Sequence, residues 1–557
     1  MPVETRIVRA DATLRVEADR RLKGKFPFKT YRPYQKETIA EILRAFDGGI
    51  RHVFLEAPTG FGKSPVSIAL AGHFGSAYIL ASTKYLQRQY LADFKVKTVK
   101  GRGNFPCLLS AVRTAETGDC VLSGTECRHC PRGGCGSGFR EVAESARRGP
   151  LFIEDGVDVC PYWEQKCEAM RESCVVFNYD YFLNETSYVG DFGRRDLLVA
   201  DEAHNIEGKL MSFVGLKITG RDLHHVQEQL PAQSMPADEW RKVLEEWRAK
   251  FAKKVQEYGT RLKTLSAMEI DRMEEMAKKT KRMDFLLEEL EEDPELWVQD
   301  LHIGEGRQSG WVTFKPVEVR KWSSAIFSRA QFFLLQSATI LDTATISSSL
   351  GLDGRLLFLK VPSIFKAERR PFIVAPVGSM SKANVATTMP ALLDRVKGIM
   401  DENPKEKGVI HTHSYRIQSE IIGKIKDPRL VSNDSSEATD AAFRRFMASP
   451  EPRVLVTPSA YEGVDLKGDL CRWQVMCKVP YPDLGDPQIR KRMERDPRWY
   501  QWLTAVRLIQ TYGRGMRSED DHCRTYMLDS DFISFYRRNE SMLPEWFREA
   551  VTQTDGA

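Results

Sequence analysis

The stretch EAPTGFGKSP, Glu56–Pro65, carries the residue types of a phosphate site. Gly60 and Gly62 let the backbone after Thr59 turn, so that successive N–H groups converge on phosphate oxygens. Lys63 offers a mobile cation to the outer phosphates, and Ser64 a hydroxyl to a magnesium ion. The spacing is that of G-x-x-x-x-G-K-[ST], with Ala57 in place of the first glycine. On this stretch alone a glycine-rich turn with a surface lysine is the lesser alternative.

A second stretch, DLLVADEAHN, ends an apolar run in Asp201 and Glu202. Nucleotide hydrolysis needs such a pair: one carboxylate holds Mg²⁺ and the other positions and deprotonates the attacking water. His204 follows closely enough to relay the state of the γ-phosphate. The two stretches together are far more specific than either.

A third, RLIQTYGRGMRSEDD, carries Gln510, Gly513, Arg514 and Arg517. Facing a phosphate loop across a cleft, these arginines would act as fingers on transition-state charge. A basic surface helix is the alternative. RVLVTPSAYEGVDLKG carries Glu462, Gly463 and Asp465, and QFFLLQSATI ends in Ser337-Ala338-Thr339. Gln35 precedes an amphipathic helix, and its amide suits the edge of adenine. Ser82, Thr83 and Lys84 can grip a phosphodiester backbone or cap the next helix.

Eleven cysteines are present, eight of them between Cys107 and Cys174. Clustering without a secretory leader argues for metal before disulfides. Thiolates suit zinc or an iron–sulfur cluster, and Cys127-x-x-Cys130 with Cys135 nearby is compatible with zinc. Cys167 and Cys174, seven apart on an expected helix, read as core residues.

These side chains need elements to hold them. His52–Leu55 reads as a buried strand before the phosphate loop, and Val66–Ala71 as the helix after it. Ala77–Leu80 and Leu197–Ala200 read as further strands, whose carboxyl ends are where open α/β sheets bind ligands. The strand–turn–helix rhythm returns after Lys407. Between about Gly208 and Glu318, charged segments with apolar residues at helical spacing predict an inserted helical domain. A chain of 557 residues has room for several domains. The net charge of +5, from 82 basic and 77 acidic residues, is too small to argue for nucleic acid by itself. The amino terminus has no apolar core of a secretory signal, so an intracellular protein is expected.

Taken together, RPYQ, APTGFGKS, STKYLQRQ, DEAH, SAT, YEGVDL and QTYGRGMR resemble, in order, the motifs of superfamily-two helicases. The cysteine segment between the phosphate loop and DEAH, with CPYW and VVFNYDYFL, resembles the XPD and DinG branch. The resemblance implies an α/β fold of two RecA-like motor domains, with an iron–sulfur insert and a helical arch in the first. The boundaries it implies are 1–100, 179–207 and 319–350 for the first motor domain and 351–557 for the second. The cluster domain falls at 101–178 and the arch at 208–318.

It further implies an ATP-driven helicase moving 5′ to 3′ on single-stranded and forked DNA, acting as a monomer in the cytoplasm or nucleoid. By carry-over, Lys63, Asp201, Glu202, Gln510, Arg514 and Arg517 are catalytic. Gln35, Thr59, Gly60, Gly62, Lys63, Ser64, Gly463 and Asp465 hold ATP, and Ser64 and Asp201 hold Mg²⁺. Cys107, Cys120, Cys127 and Cys160 hold a [4Fe–4S] cluster. Cys130 and Cys135 are substitutes for the middle pair, or ligands of a separate zinc. In the cycle this implies, Thr83, Lys84, Thr412 and His413 would grip the DNA backbone, and Tyr162 and Phe105 would stack on or contact the strand at the junction. An ATPase that remodels protein–DNA complexes without unwinding is the rival expectation.

Overall fold

Short runs buried on both faces, such as His52–Glu56 and Ala77–Ala81, are what parallel strands covered by helices require. A computed structural model describes residues 3–108, 114–115, 160–261, 264–304, 309–432, 439–458, 466, 468–516 and 521–553. Eight parallel strands form the first sheet. Their order is Val3–Ile7, Leu356–Lys360, His52–Glu56, Ala330–Ser337, Arg195–Asp201, Ala77–Ala81, Cys174–Asn178, Lys97–Thr98. Three neighbours in that order, His52–Glu56, Ala330–Ser337 and Arg195–Asp201, end together. They deliver the phosphate loop, the Ser337-Ala338-Thr339 turn and the acidic pair to one edge.

A second parallel sheet has seven strands, in the order Leu430–Ser432, Val454–Thr457, Gly408–His411, Trp473–Met476, Arg524–Asp529, Phe372–Gly378, Val551–Gln553. The helix Pro497–Tyr512 leaves this second unit and lies along the first. Trp499, Trp502, Val506 and Ile509 share one apolar core with Ile340, Leu341 and Ile206.

The span 208–318 is not wholly helical, as its composition suggested. Two long antiparallel helices, Ala237–Thr260 and Ala267–Glu292, pack on a three-stranded antiparallel sheet. Its strands are Leu216–Thr219, Gly310–Pro316 and Trp297–Ile303, in that order. Trp240, Phe251, Met283 and Phe314 fill the space between. The strands were hidden because their alternation is brief beside the helical charge runs. Cys174 is also placed differently from expectation. The helix carrying Cys167 stops at Arg171, and Cys174 opens a strand.

Lys166, on the helix Pro161–Arg171, is fully buried. Its ammonium pairs with Glu185, at 2.8 Å, and with Asp191, both also buried. The triad ties the end of the cysteine-rich segment to the first sheet's helices. Removing one partner of such a group leaves uncompensated buried charge. Lys166→Met is therefore expected to lower stability by about 3 kcal/mol or more, seen as a reduced melting temperature. An unchanged melting curve would show that the triad is not holding this junction.

Candidate active site

The helix Lys63–Phe74 starts directly out of the phosphate loop, with Gly62 as its left-handed cap at φ 83°. A side chain at Gly62 would also meet Gln35 Nε2 at 2.6 Å, so glycine is required there twice over. Ala57 needs no such freedom. It is absent from the positive-φ residues, is fully buried, and donates its N–H to Ser337 O at 3.0 Å. The loop's first glycine is dispensable here because Ala57 still continues the strand. Lys63 Nζ donates to Ala57 O at 3.2 Å, which keeps the ammonium folded over the loop.

Asp201 and Glu202 are both deep in the site. Asp201 accepts from Tyr90 Oη, Gln336 Nε2 and the N–H of Glu202, each at 3.1 Å. Burial and the neighbouring Glu202 charge push its carboxyl up. Burial acts in the same direction on Glu202, but Lys63, His204 and Arg514 outweigh it and hold that carboxyl below its ordinary value. The acidic pair is thus split, with Glu202 the more firmly ionised. Glu202 also sits at φ 49°, a strained backbone for a residue with a side chain.

Burial holds the Tyr90 hydroxyl well above its usual range, and that hydroxyl donates to Asp201 and lies within the influence of Ser64 and Ser67. The Ser64 hydroxyl and the Asp201 carboxylate expected for Mg²⁺ suit a hard cation.

From Glu202 a chain of polar contacts leads outward. Ser337 Oγ donates to Glu202 Oε2 at 3.2 Å and lies 2.8 Å from His204 Nδ1. Thr339 Oγ1 lies 3.3 Å from the same nitrogen, and Gln510 Nε2 donates to Thr339 Oγ1 at 2.8 Å. The chain crosses from the first unit to the second. Arg514, 5% exposed, shares a cavity of about 150 Å³ with Thr59, Glu202, His204 and Gln510. Arg514 thus lies across this cavity from Thr59 of the phosphate loop.

Other placements differ from expectation. The amide of Gln35 is engaged by the phosphate loop and the residue three before it: Oε1 accepts from Arg32 N at 2.8 Å, and Nε2 donates to the Phe61 and Gly62 carbonyls at 2.9 and 3.1 Å. Of the two roles open to Thr83, the structure shows the cap: its hydroxyl accepts from Leu86 N at the start of the helix Lys84–Phe94. Thr412 is fully buried and cannot grip a strand from outside. His413 is pushed down to about 3 by burial, then by His411, Lys478 and Arg507, so it is a neutral ring. Tyr162 is buried, with its hydroxyl 3.0 Å from that of Tyr181, and offers no stacking face. Arg517, Gly463, Asp465, Cys120, Cys127, Cys130 and Cys135 lie outside the described residues. Two site residues escaped sequence reasoning, Gln336 and Tyr90. A lone amide in the apolar run FFLLQS was the available signal for Gln336; Tyr90 had none.

Residues 28–254 match the type III restriction enzyme res subunit family, and residues 397–550 match a helicase C-terminal domain. The ATP-dependent DNA helicase YoaA of Escherichia coli K12 is 22% identical over 594 residues, covering 91% of this chain and 92% of that protein. A solved XPD helicase superposes with a TM-score of 0.63 at 15% identity, covering 95% of this chain and all of that one (100%). Xpd4 of S. tokodaii gives 0.54 at 16% identity, over 94% of this chain and 100% of its own. Each parallel sheet is thus the core of a RecA-like domain. Together these matches support reading the chain as an XPD/DinG-like superfamily-2 helicase. Among the described residues no helix is long and apolar enough to cross a membrane.

For this helicase the raised Asp201 carboxyl predicts a pH effect. Protons compete with Mg²⁺ for a carboxyl whose affinity for them is raised. The Mg²⁺ concentration giving half-maximal ATPase activity should therefore rise as pH falls from about 8 to about 6. Tyr90 lowers the Asp201 value through its hydrogen bond. Tyr90→Phe should accordingly move that profile to higher pH, and a Mg²⁺ requirement flat across the range contradicts the assignment.

Proposed function

We propose that this helicase hydrolyses ATP to move along single-stranded DNA, 5′ to 3′, and to unwind duplex ahead of it. One observation carries the reading. Thr59 of the phosphate loop and Glu202, whose carboxyl Lys63, His204 and Arg514 hold below its ordinary value, line on one RecA-like domain a cavity shared with Arg514 of the other.

The residues divide the work as follows. The loop N–H groups and Lys63 hold the β- and γ-phosphates. Ser64 and Asp201 would hold Mg²⁺, which supplies neutralisation of phosphate charge. Glu202 accepts a proton from the attacking water, and Arg514 meets the charge that develops on the γ-phosphate. Loss of the γ-phosphate removes Arg514's partner. Ser337, His204, Thr339 and Gln510 carry the change at Glu202 to the helix Pro497–Tyr512. Movement of one domain against the other then shifts its hold on the DNA backbone, a sequence-independent contact that salt weakens.

Cys107 and Cys160 would hold a [4Fe–4S] cluster with two of Cys120, Cys127, Cys130 and Cys135. The donor chemistry supports it, since both described thiols are unpaired and accessible in part. So does their placement. Cys160 packs with Phe105, Ala115, Tyr162 and Trp163, and Cys107 lies two residues from Phe105 in the chain. The cluster would supply a rigid centre for a segment rich in glycine. A zinc ion at Cys127, Cys130 and Cys135 is compatible with the same segment.

Lys63→Ala is expected to abolish ATP turnover, and near-normal turnover would defeat the hydrolysis assignment. Arg514→Ala should cost kcat on the order of a thousandfold, as loss of an arginine finger does, while nucleotide still binds. Cys107→Ser or Cys160→Ser should remove the brown iron–sulfur chromophore and strand displacement but leave some ATPase. Retained colour would reject those ligands. ATPase without strand displacement in the parent protein would point to a remodelling motor instead.

A further inference from the structure

The commitment of Gln35 to the phosphate loop leaves the nucleobase without its expected reader. Among the described residues, Tyr85 and Trp546 are the aromatic side chains lining the cavity around Thr59, and of the two only Trp546 reaches the adjoining space beside the strand that feeds the loop. Trp546, on the short helix Glu545–Arg548, lines the cavity that holds Thr59, Glu202 and Arg514. It also lines an adjoining cavity of about 250 Å³ with Glu56, Lys360, Pro362, Ser363 and Arg548. The two spaces meet at this residue. Glu56 is the last residue of the strand that feeds the phosphate loop, so the second space opens beside the place where the phosphates are fixed.

The indole is half-buried and held in place. Its ring lies parallel to Tyr512 within 14°, with centroids 5.9 Å apart. The Arg370 guanidinium lies 5.5 Å from its centre and donates to its backbone carbonyl. Tyr512 Oη in turn donates to Arg370 O. This support comes from the second domain, whereas Glu56 and Lys360 belong to the first. A base seated here would be held between the two.

We infer that Trp546 is the stacking platform for the base of the bound nucleoside triphosphate, and that it makes the site prefer purines. Stacking strength grows with the overlapped π-surface, so a two-ring base gains more than a one-ring base. The polar walls of the second cavity carry both signs, from Glu56 and Glu549 to Lys360 and Arg548. They give no single hydrogen-bonding rule between adenine and guanine. The contact therefore distinguishes ring size more than edge chemistry. The inference rests on the hydrolysis reading above. It adds the residue that sets which triphosphate is used.

The test is steady-state hydrolysis of ATP, GTP, CTP and UTP by the full chain with single-stranded DNA, for the parent, Trp546→Phe and Trp546→Ala. The parent should show lower KM for the purine nucleotides. Trp546→Ala should raise KM for ATP roughly tenfold, the size of one lost stacking contact, and bring purines and pyrimidines close together. Trp546→Phe should keep most of the preference. Inorganic tripolyphosphate, which carries no base, should inhibit all three proteins with similar Ki, because the phosphate loop is untouched. An equal rise in tripolyphosphate Ki and ATP KM would mean that Trp546 only supports the seam, and overturns the inference. So would an ATP KM unchanged in Trp546→Ala. A parent protein that hydrolyses none of the four would instead sink the hydrolysis reading itself.

Discussion

Two carboxylates on consecutive residues, one buried and the other lining a narrow cavity, repel each other in a medium that screens less well than bulk water. Asp201 and Glu202 are in that position, and much of the first domain's edge answers to it. Asp201 is supplied with three hydrogen-bond donors. Glu202 is turned away on a strained backbone toward Ser337, His204, Lys63 and Arg514. The result is two carboxyls with different proton affinities, which is the condition for different roles. One is suited to a cation and the other to a proton. Neither could be tuned separately if both faced the same neighbours.

The supply lines for this arrangement run through one strand. Ala330–Ser337 lies between the phosphate-loop strand and the acidic strand. Gln336, fully buried, bonds Asp201 with its amide nitrogen, and its oxygen lies 3.0 Å from Ser67 of the phosphate-loop helix. Ser337, the next residue, points the other way in the pleat and bonds Glu202. Alternation along a strand thus assigns one residue to each carboxylate. A fully satisfied buried network of this kind specifies a single geometry.

The parts that could be read from the chain were those with short-range rules. The loop, the acidic pair and the parallel strands follow from spacing and apolar runs, since each is fixed by residues close in sequence. Arg514 could be proposed but not placed, because its position depends on how two sheets meet. Gln35 shows the limit most clearly. Its amide was a good match to adenine, yet Phe61, Gly62 and Arg32 offer it three backbone partners at once. Nothing in the motif ranks those against an absent base. Tyr90 was invisible because a tyrosine on a helix gives no hint of which buried carboxylate it meets. The antiparallel strands of the insertion lay under a charge pattern that obeys helical spacing on either side.

The seam itself constrains how the two domains can move. The helix Pro497–Tyr512 is continuous with the second sheet, but its first half is bonded to the first domain. Arg498 pairs with Asp342 at 2.5 Å, Trp499 Nε1 donates to Glu207 Oε2 at 2.8 Å, and Trp502 Nε1 donates to Ile340 O at 2.9 Å. Each indole bond is buried and would leave an unsatisfied group if it broke without water. Its loss costs about 1–3 kcal/mol. The far end of the helix carries the bond from Gln510 to Thr339, next to a polar cavity that water can enter. Rotation about the tryptophan end therefore costs less than separation of the whole face. The end opposite the tryptophans carries Gln510 and Arg514, so the residues proposed to meet the γ-phosphate are also those with the greatest lever arm.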